Sequence, residues 1–191
     1  MLEFFKSFLR RIKSLFGFGT RAGVSETSKV RHRLAQYCVG DGIDVGYGGD
    51  PVLETAIAMD LPLKYAAYAS KPQHLHGDAA NLLWFREGVL DYVYSSHVLE
   101  DFEDTEAVLR EWIRVLRVGG RVVLFLPDES AYRAYCQSQG KPPNAHHVHD
   151  DFGAQYLKQV FQRIGGVQVV HEDFPVGIYS FEMVIEKNRE V

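Results

Sequence analysis

Cysteine is scarce in this sequence. Its 191 residues hold only Cys38 and Cys136, too few for a disulfide framework and not at metal-ligand spacing. A reducing compartment is the natural setting, so the chain is expected to be cytoplasmic. No run of ~20 apolar residues occurs, and no membrane span is expected. Positive charge is not in excess: 21 Lys and Arg stand against 25 Asp and Glu, a net charge of −4, and no nucleic acid is expected as a partner. Internal repeats and low-complexity tracts are also missing. What is present, 46% hydrophobic and 24% charged residues, is ordinary globular chain, long enough for one domain with a buried core.

The basic residues that do occur are concentrated at the start. Lys6, Arg10, Arg11, Lys13 and Arg21 against Glu3 put residues 1–22 at +4, which leaves −8 on the remainder. On a helix, the apolar side chains from Leu2 to Phe16 fall within an arc of roughly 160°, with Lys6, Arg10 and Lys13 opposite. Charges every few residues exclude a transmembrane span and break up any secretory signal core. Two readings stand. Residues 1–16 form an amphipathic helix that lies on an anionic membrane, peripheral to the inner membrane; or the helix docks on protein, either the domain itself or a second subunit.

Beyond this segment and its linker, residues 23–191 read as one domain. Ser25 caps a helix over about residues 26–38. Short apolar runs then alternate with helical patterns. Strands are expected at Ile43–Val45, Ala56–Met59, His74–His76, Leu90–Tyr94, Arg121–Leu126, Gly166–His171 and Tyr179–Glu186. Helices are expected at Thr105–Leu116 and over 151–164, with Gly119-Gly120 closing the first of them. The expected fold is α/β and Rossmann-like. It is a seven-stranded, mostly parallel sheet with helices on both faces, the last strand antiparallel, a shortened first crossover and the extra N-terminal amphipathic helix. In such a sheet ligands bind beyond the carboxyl ends of the strands, at the switch in strand order.

The residues after each strand therefore carry the chemistry. Strand one runs into Asp44-Val45-Gly46-Tyr47-Gly48-Gly49-Asp50-Pro51. Gly46 and Gly48 allow a tight turn and close approach of backbone to a ligand. Pro51 stands where a dinucleotide fingerprint needs its third glycine, and no Gly-Lys-Ser/Thr follows, so NAD and P-loop phosphate binding are disfavoured. Asp60 after strand two can accept from both hydroxyls of a ribose. Asp78 after strand three can accept from an exocyclic amine such as that of adenine, or can cap residues 79–85. After strand four comes Ser95-Ser96-His97-Val98-Leu99-Glu100.

Asp-x-Val-x-Ser-Ser-His-x-Leu-Glu, then a helix ending in Arg-Val-Leu-Arg-Val-Gly-Gly and a strand ending in Leu-Pro, resembles the class I S-adenosylmethionine-dependent methyltransferases. The closest resemblance is to the small bacterial type associated with lipopolysaccharide and other glycan biosynthesis, over about residues 40–187. The resemblance implies that Gly46, Tyr47 and Gly48 pack on the methionine part of S-adenosylmethionine. Asp44 would orient that loop or reach the amino group through water. Asp60 and Leu61 would take the ribose, Asp78 and Ala79 the adenine, and Ser95 and Ser96 would line the methyl side. Only about ten residues separate Gly46 from Ile57, so the usual first helix is reduced to a turn.

The loop over residues 141–152, Lys-Pro-Pro-Asn-Ala-His-His-Val-His-Asp-Asp-Phe, looks like one in the glycan-associated relatives. Transfer to a hydroxyl needs in-line placement and removal of a proton, work that suits a histidine. His147 or His149 is the first candidate base, then His97. No metal is expected: a site from His146, His147, His149 and Asp150 is the competing reading, but ligands so close in sequence converge poorly on one ion. The expected acceptor is a hydroxyl of a small molecule or glycan precursor. The rivals are a non-catalytic binding or scaffold subunit and, disfavoured by the −8 charge, a nucleic-acid methyltransferase. On the membrane reading, the full chain co-sediments with anionic vesicles and loses this when residues 1–22 are removed. Equal recovery of both in the supernatant removes that reading.

Overall fold

The computed structural model describes residues 24–62 and 72–189. The expected amphipathic helix within residues 1–22 lies outside them. The described chain forms α1 (Glu26–Leu34) with a 3-10 turn at Ala35–Tyr37, β1 (Gly42–Val45), β2 (Ile57–Asp60), β3 (Leu75–His76) and β4 (Leu90–Ser96). A 3-10 turn at Leu99–Asp101 follows, then α2 (Thr105–Val115), β5 (Leu116–Pro127), α3 (Glu129–Ser138), α4 (Ala154–Ile164), β6 (Val167–Val176) and β7 (Ser180–Lys187). One seven-stranded sheet has the order β3-β2-β1-β4-β5-β7-β6. β7 runs antiparallel to both its neighbours, β5 and β6, and the other pairs are parallel. Among the described residues, no helix is long and apolar enough to cross a membrane.

Side chains alternate across the sheet with period two and sort into two cores. Ile43, Val93, Val122, Leu124, Phe181 and Met183 face one side, where Val108, Leu109 and Trp112 of α2 and Leu157, Val160 and Phe161 of α4 cover them. Tyr92, Tyr94, Val123, Phe125 and Val184 face the other, under Val30 and Leu34 of α1. The central strands are therefore apolar on both faces, as a covered parallel sheet requires. Both free cysteines are buried, Cys38 in the second core.

Helix ends follow local rules. Ser25 accepts from Ser28 N at 3.0 Å, Asp104 from Ala107 N at 2.9 Å and Asp128 from Ala131 N at 3.0 Å, each an N-cap. α1 is then tied to the sheet by charge. Arg33 meets buried Glu182 on β7 at 2.6 Å, and Arg31 bonds Asp50 and, at 3.1 Å, the carbonyl of Pro51.

Several expected boundaries move. β4 continues through Ser96, because its pairing with β5 extends to Ser96 opposite Phe125. α2 stops at Val115, where Leu116 turns extended and pairs with Leu90; the stretch with Gly119 is then an irregularity in β5 rather than the helix end. α1 ends four residues early in its 3-10 turn, and α4 begins at Ala154. β6 extends to Val176. Residues 79–85 form turns instead of a helix capped by Asp78. The crossover between β1 and β2 has no helix, as its length implied.

Those turns after β3 are fastened by α2. Trp112 is buried and donates from Nε1 to the carbonyl of Ala79 at 2.7 Å. Glu111 accepts from Leu82 N at 2.9 Å. Arg114 reaches the carbonyls of Phe85 and Leu82 at 3.1 and 3.2 Å. Trp112→Phe removes the donor from the Ala79 carbonyl and is expected to lower the unfolding free energy by roughly 1–3 kcal/mol. Lys158→Ala removes only a half-exposed ion pair with Glu172 and is expected to cost less than about 1 kcal/mol. Urea unfolding of both variants checks the contrast.

Candidate functional site

The strand order reverses between β1 and β4, so the turns that follow these two strands part and leave a crevice. A cavity of about 590 Å³ opens there, a size common for small-molecule sites. Its floor is the turn after β1. Gly46 has φ +71° and Gly48 φ +59°, the left-handed region that favours glycine. A Cβ on Gly46 would stand 2.3 Å from Cγ2 of Val98, whereas one on Gly48 would meet nothing closer than 4.0 Å. Gly46 thus lets the turns after β1 and β4 touch, and Gly48 leaves bare backbone toward the cavity.

Asp60 lines the cavity at the end of β2. One carboxylate oxygen accepts from Gly48 N at 3.1 Å and the other from Leu61 N at 2.8 Å. A carboxylate offers about four acceptor positions, so two remain for a diol while the backbone holds the group in place. Asp78 also lines the cavity; it accepts from Ala80 N at 2.9 Å, which orients it and leaves acceptor capacity for an amine. Gly46, Tyr47, Gly48, Leu61, Ala79 and Ser96 line the same cavity.

Two expected residues are elsewhere. Asp44 is buried, 1% exposed, and is not part of the wall. It accepts from Val52 N at 2.7 Å and so pins the short crossover to β1. Burial pushes its carboxyl well above the usual range. Ser95 is fully buried, with its hydroxyl 3.4 Å from the carbonyl of Val45. Neighbouring strand residues point to opposite faces, so of the serine pair only Ser96 reaches the cavity.

The chain leaves β4 at His97, which has φ +54°, uncommon outside glycine and a sign of constraint. Its N–H donates to the Phe125 carbonyl at 2.9 Å, and its ring meets Phe125 edge-on at 5.1 Å. The ring lies on the cavity wall between two carboxyls. Nε2 is 3.6 Å from Glu26 and 3.3 Å from the hydroxyl of Ser180, and Nδ1 is 3.6 Å from Glu100. Burial above all, then the positive charge of Lys29 and the nearness of His147, lowers the His97 pKa to about 3. Burial, then Asp101, Glu129 and Glu26, raises that of Glu100 well above its ordinary value.

The histidine loop packs over the cavity mouth, but not in the expected sense. His146 lines the cavity. His147 turns inward, Nδ1 2.7 Å from Glu129. His149 donates from Nε2 to the Phe102 carbonyl at 2.8 Å and lies 3.2 Å from the hydroxyl of Thr105. His147 and His149 are therefore anchors of the loop rather than groups facing the cavity. Among the described residues, no group of three or more His, Cys, Asp or Glu is arranged to hold a metal ion. Ser25, Glu26 and Thr27 at the start of α1, together with Asp101 and Phe102, also line the cavity. The sequence reading missed these wall residues. The Asp101-Phe102 pair sat directly beyond the quoted motif, but nothing local tied α1 to this crevice.

Acid and histidine burial leaves a pH signature with two opposite signs. Glu100 binds its proton more tightly folded than unfolded, so its contribution falls as pH rises above ~4.3. His97 binds its proton less tightly folded, so stability falls as pH drops from ~6.5 toward its folded value. Glu100→Gln is therefore expected to gain stability relative to wild type between pH 5 and pH 8, measured by urea unfolding at both. A difference that shrinks over that range contradicts the assignment.

The residues present suit S-adenosylmethionine. Bare backbone at Gly48 leaves room beside the methionine position, and Asp60 and Asp78 supply acceptors for a ribose diol and an adenine amine. Residues 38–124 match the family described as "Methyltransferase domain", just under half of the chain. A comparison with curated proteins finds no match. Among solved structures, the chain is similar to an S-adenosylmethionine-dependent methyltransferase of Thermotoga maritima, described as a possible histamine N-methyltransferase. That likeness has a TM-score of 0.64 at 20% identity and covers 99% of this chain and 100% of that one. A Pyrococcus horikoshii protein gives 0.69 at 17%, covering 93% and 99%. A methyltransferase of Mesorhizobium loti gives 0.60 at 14%, covering 85% and 98%. These likenesses show a shared fold. The domain match over residues 38–124, on this sheet and with this cavity at its switch point, supports S-adenosylmethionine-dependent methyl transfer on a class I methyltransferase fold.

Proposed function

We propose that the protein methylates a hydroxyl of a small molecule or sugar precursor, with His97, rather than His147 or His149, taking the proton. The observation that carries this reading is the placement of His97 on the cavity wall, with a carboxyl 3.6 Å from each ring nitrogen. Asp60 and Leu61 hold the ribose, Asp78 and Ala79 the adenine, and the glycine turn the methionine end. Ser96 would line the methyl side. S-adenosylmethionine held there would supply a methyl group on a sulfonium, with a neutral thioether as the leaving group when the acceptor oxygen takes the methyl.

His97 is a weak base, with its pKa near 3, yet this suffices. As the new C–O bond forms, the hydroxyl becomes a protonated ether, a far stronger acid than imidazolium, and its proton passes downhill to Nε2. Glu26, 3.6 Å from Nε2, then meets the ring's charge, while Glu100 accepts from Nδ1. Glu26 and His146 line the acceptor end. The basic residues interleaved with apolar ones over 1–16 favour work beside an anionic membrane.

A second reading, an amine acceptor, is favoured by charge. Glu26 and Asp101 line the acceptor end, and among the described wall residues none is Lys or Arg. The description of the Thermotoga maritima relative as a possible histamine N-methyltransferase points the same way.

Calorimetry with S-adenosylhomocysteine is expected to show binding that Asp60→Ala weakens at least ~10-fold; unchanged affinity contradicts the site. Tritiated methyl groups from S-adenosylmethionine are expected to enter a small molecule or glycan from cell extract, and His97→Asn to reduce this by about 100-fold or more. Mass spectrometry of the product separates a methyl ether from a methylamine.

A further inference from the structure

Four enclosed ionisable side chains stand in a row behind the cavity wall. His97 is the first, at the end of β4. Oε1 of Glu100, in the 3-10 turn that follows, lies 3.6 Å from His97 Nδ1 and 3.8 Å from Nε2 of His147. Nδ1 of His147 lies 2.7 Å from Oε2 of Glu129, the first residue of α3. Glu129 also accepts from Arg133 Nε at 2.7 Å, and Arg133 reaches exposed Asp150 at 3.0 Å. Three elements and the histidine loop thus converge on one line of polar atoms that runs from the cavity toward the surface. Glu100 and Glu129 are both buried, and Oε2 of Glu100 has no hydrogen-bond partner. An enclosed carboxyl without an ion pair costs stability, and apolar side chains fill such a space at less cost.

We propose that Glu100 is a positioning residue for the methyl transfer, the middle link of a chain in which every donor points away from the cavity. This rests on the reading of His97 as proton acceptor. In the chain His97 donates from Nδ1 to Glu100. The Glu100 carboxyl keeps its proton and gives it to Nε2 of His147, and His147 donates from Nδ1 to the Glu129 carboxylate. Hydrogen bonds aligned head to tail reinforce one another. Their direction leaves Nε2 of His97 as a lone pair on the Ser180 and Glu26 side, the side of the acceptor. The directions in which burial moves Glu100 and His97, toward a protonated carboxyl and a neutral ring, agree with this arrangement. Around the chain, Asp101, Glu26 and Lys29 are the other charged groups that act on its two cavity-side members. The two longer contacts are of the kind that tightens when a site fills.

The test reads the tautomer of His97, which needs no acceptor. Long-range proton–nitrogen spectra of the full, ¹⁵N-labelled chain with S-adenosylhomocysteine are recorded at pH 7. The His97 signals are those lost in His97→Asn, and the affinity for S-adenosylhomocysteine checks the fold of each variant. In wild type the ring proton is expected on Nδ1. Glu100→Leu moves it to Nε2, and Glu100→Gln, whose amide oxygen still accepts, keeps it on Nδ1. Glu129→Gln and His147→Asn, which do not touch His97, lower the Nδ1–H share. A wild-type proton on Nε2 overturns the proposal, as does an Nδ1 share left unchanged by Glu100→Leu. If Glu100→Leu does not fold, an unchanged share in both Glu129→Gln and His147→Asn overturns it. The expected tautomer pattern in a protein that transfers no methyl group supports the chain and refutes only the catalytic reading of His97.

Discussion

Residue 46 has no side chain, and the turn after β1 rests on Val98 because of it. A Cβ at 2.3 Å from Val98 Cγ2 would force apart the two turns that face each other across the switch in strand order. Both residues of that contact line the cavity. The same contact brings Gly48 N within 3.1 Å of Asp60, and it places Val98 and His97 opposite the glycine turn. β1 pairs in parallel with both β2 and β4, so the same strand fixes the height of Asp60 on one side and of His97 on the other.

Around this contact the cavity is held by groups that are not in it. Asp44 pins the short crossover through Val52 N. Trp112, Glu111 and Arg114 of α2 hold the turns that carry Asp78 and Ala79. His149 bonds the histidine loop to the Phe102 carbonyl. With the first crossover reduced to turns, backbone-to-carboxylate bonds do the work that a packed helix does in a longer connection. Such bonds are directional, so they place atoms rather than merely filling volume.

The arrangement trades stability for chemistry. Asp44 and Glu100 are buried carboxyls without a cation against them, and His97 is a neutral imidazole in a left-handed backbone conformation held by the Phe125 carbonyl. Each is costly in a folded core. Asp44 is buried on β1 behind the glycine turn, and the other two are beside the cavity at its acceptor end. The α4 side packs by ordinary apolar burial, through Leu157, Val160, Phe161 and Ile164.

Local chemistry alone was enough for the strand ends. The apolar period of two, the glycine turn and the acids after β2 and β3 need only neighbours in the chain to be read, and Asp60, Asp78, Gly46 and Gly48 stand where that reading put them. The helix-free crossover between β1 and β2 followed from counting residues between Gly46 and Ile57. Direction of side chains was another matter. In a strand a shift of one residue reverses the face, so Ser96 reaches the cavity and Ser95 does not. In the histidine loop His146 faces in while His147 and His149 bond Glu129 and the Phe102 carbonyl, because those partners come from α3 and from the turn before α2 and are remote in sequence. Glu26 and Glu100 join the site only once α1 has packed on the sheet and the 3-10 turn has closed beside β4. Spacing along the chain determines which residues end each strand; long-range packing decides which of them share one enclosed space, since it alone brings side chains from separate elements within a few ångströms and removes the water between them.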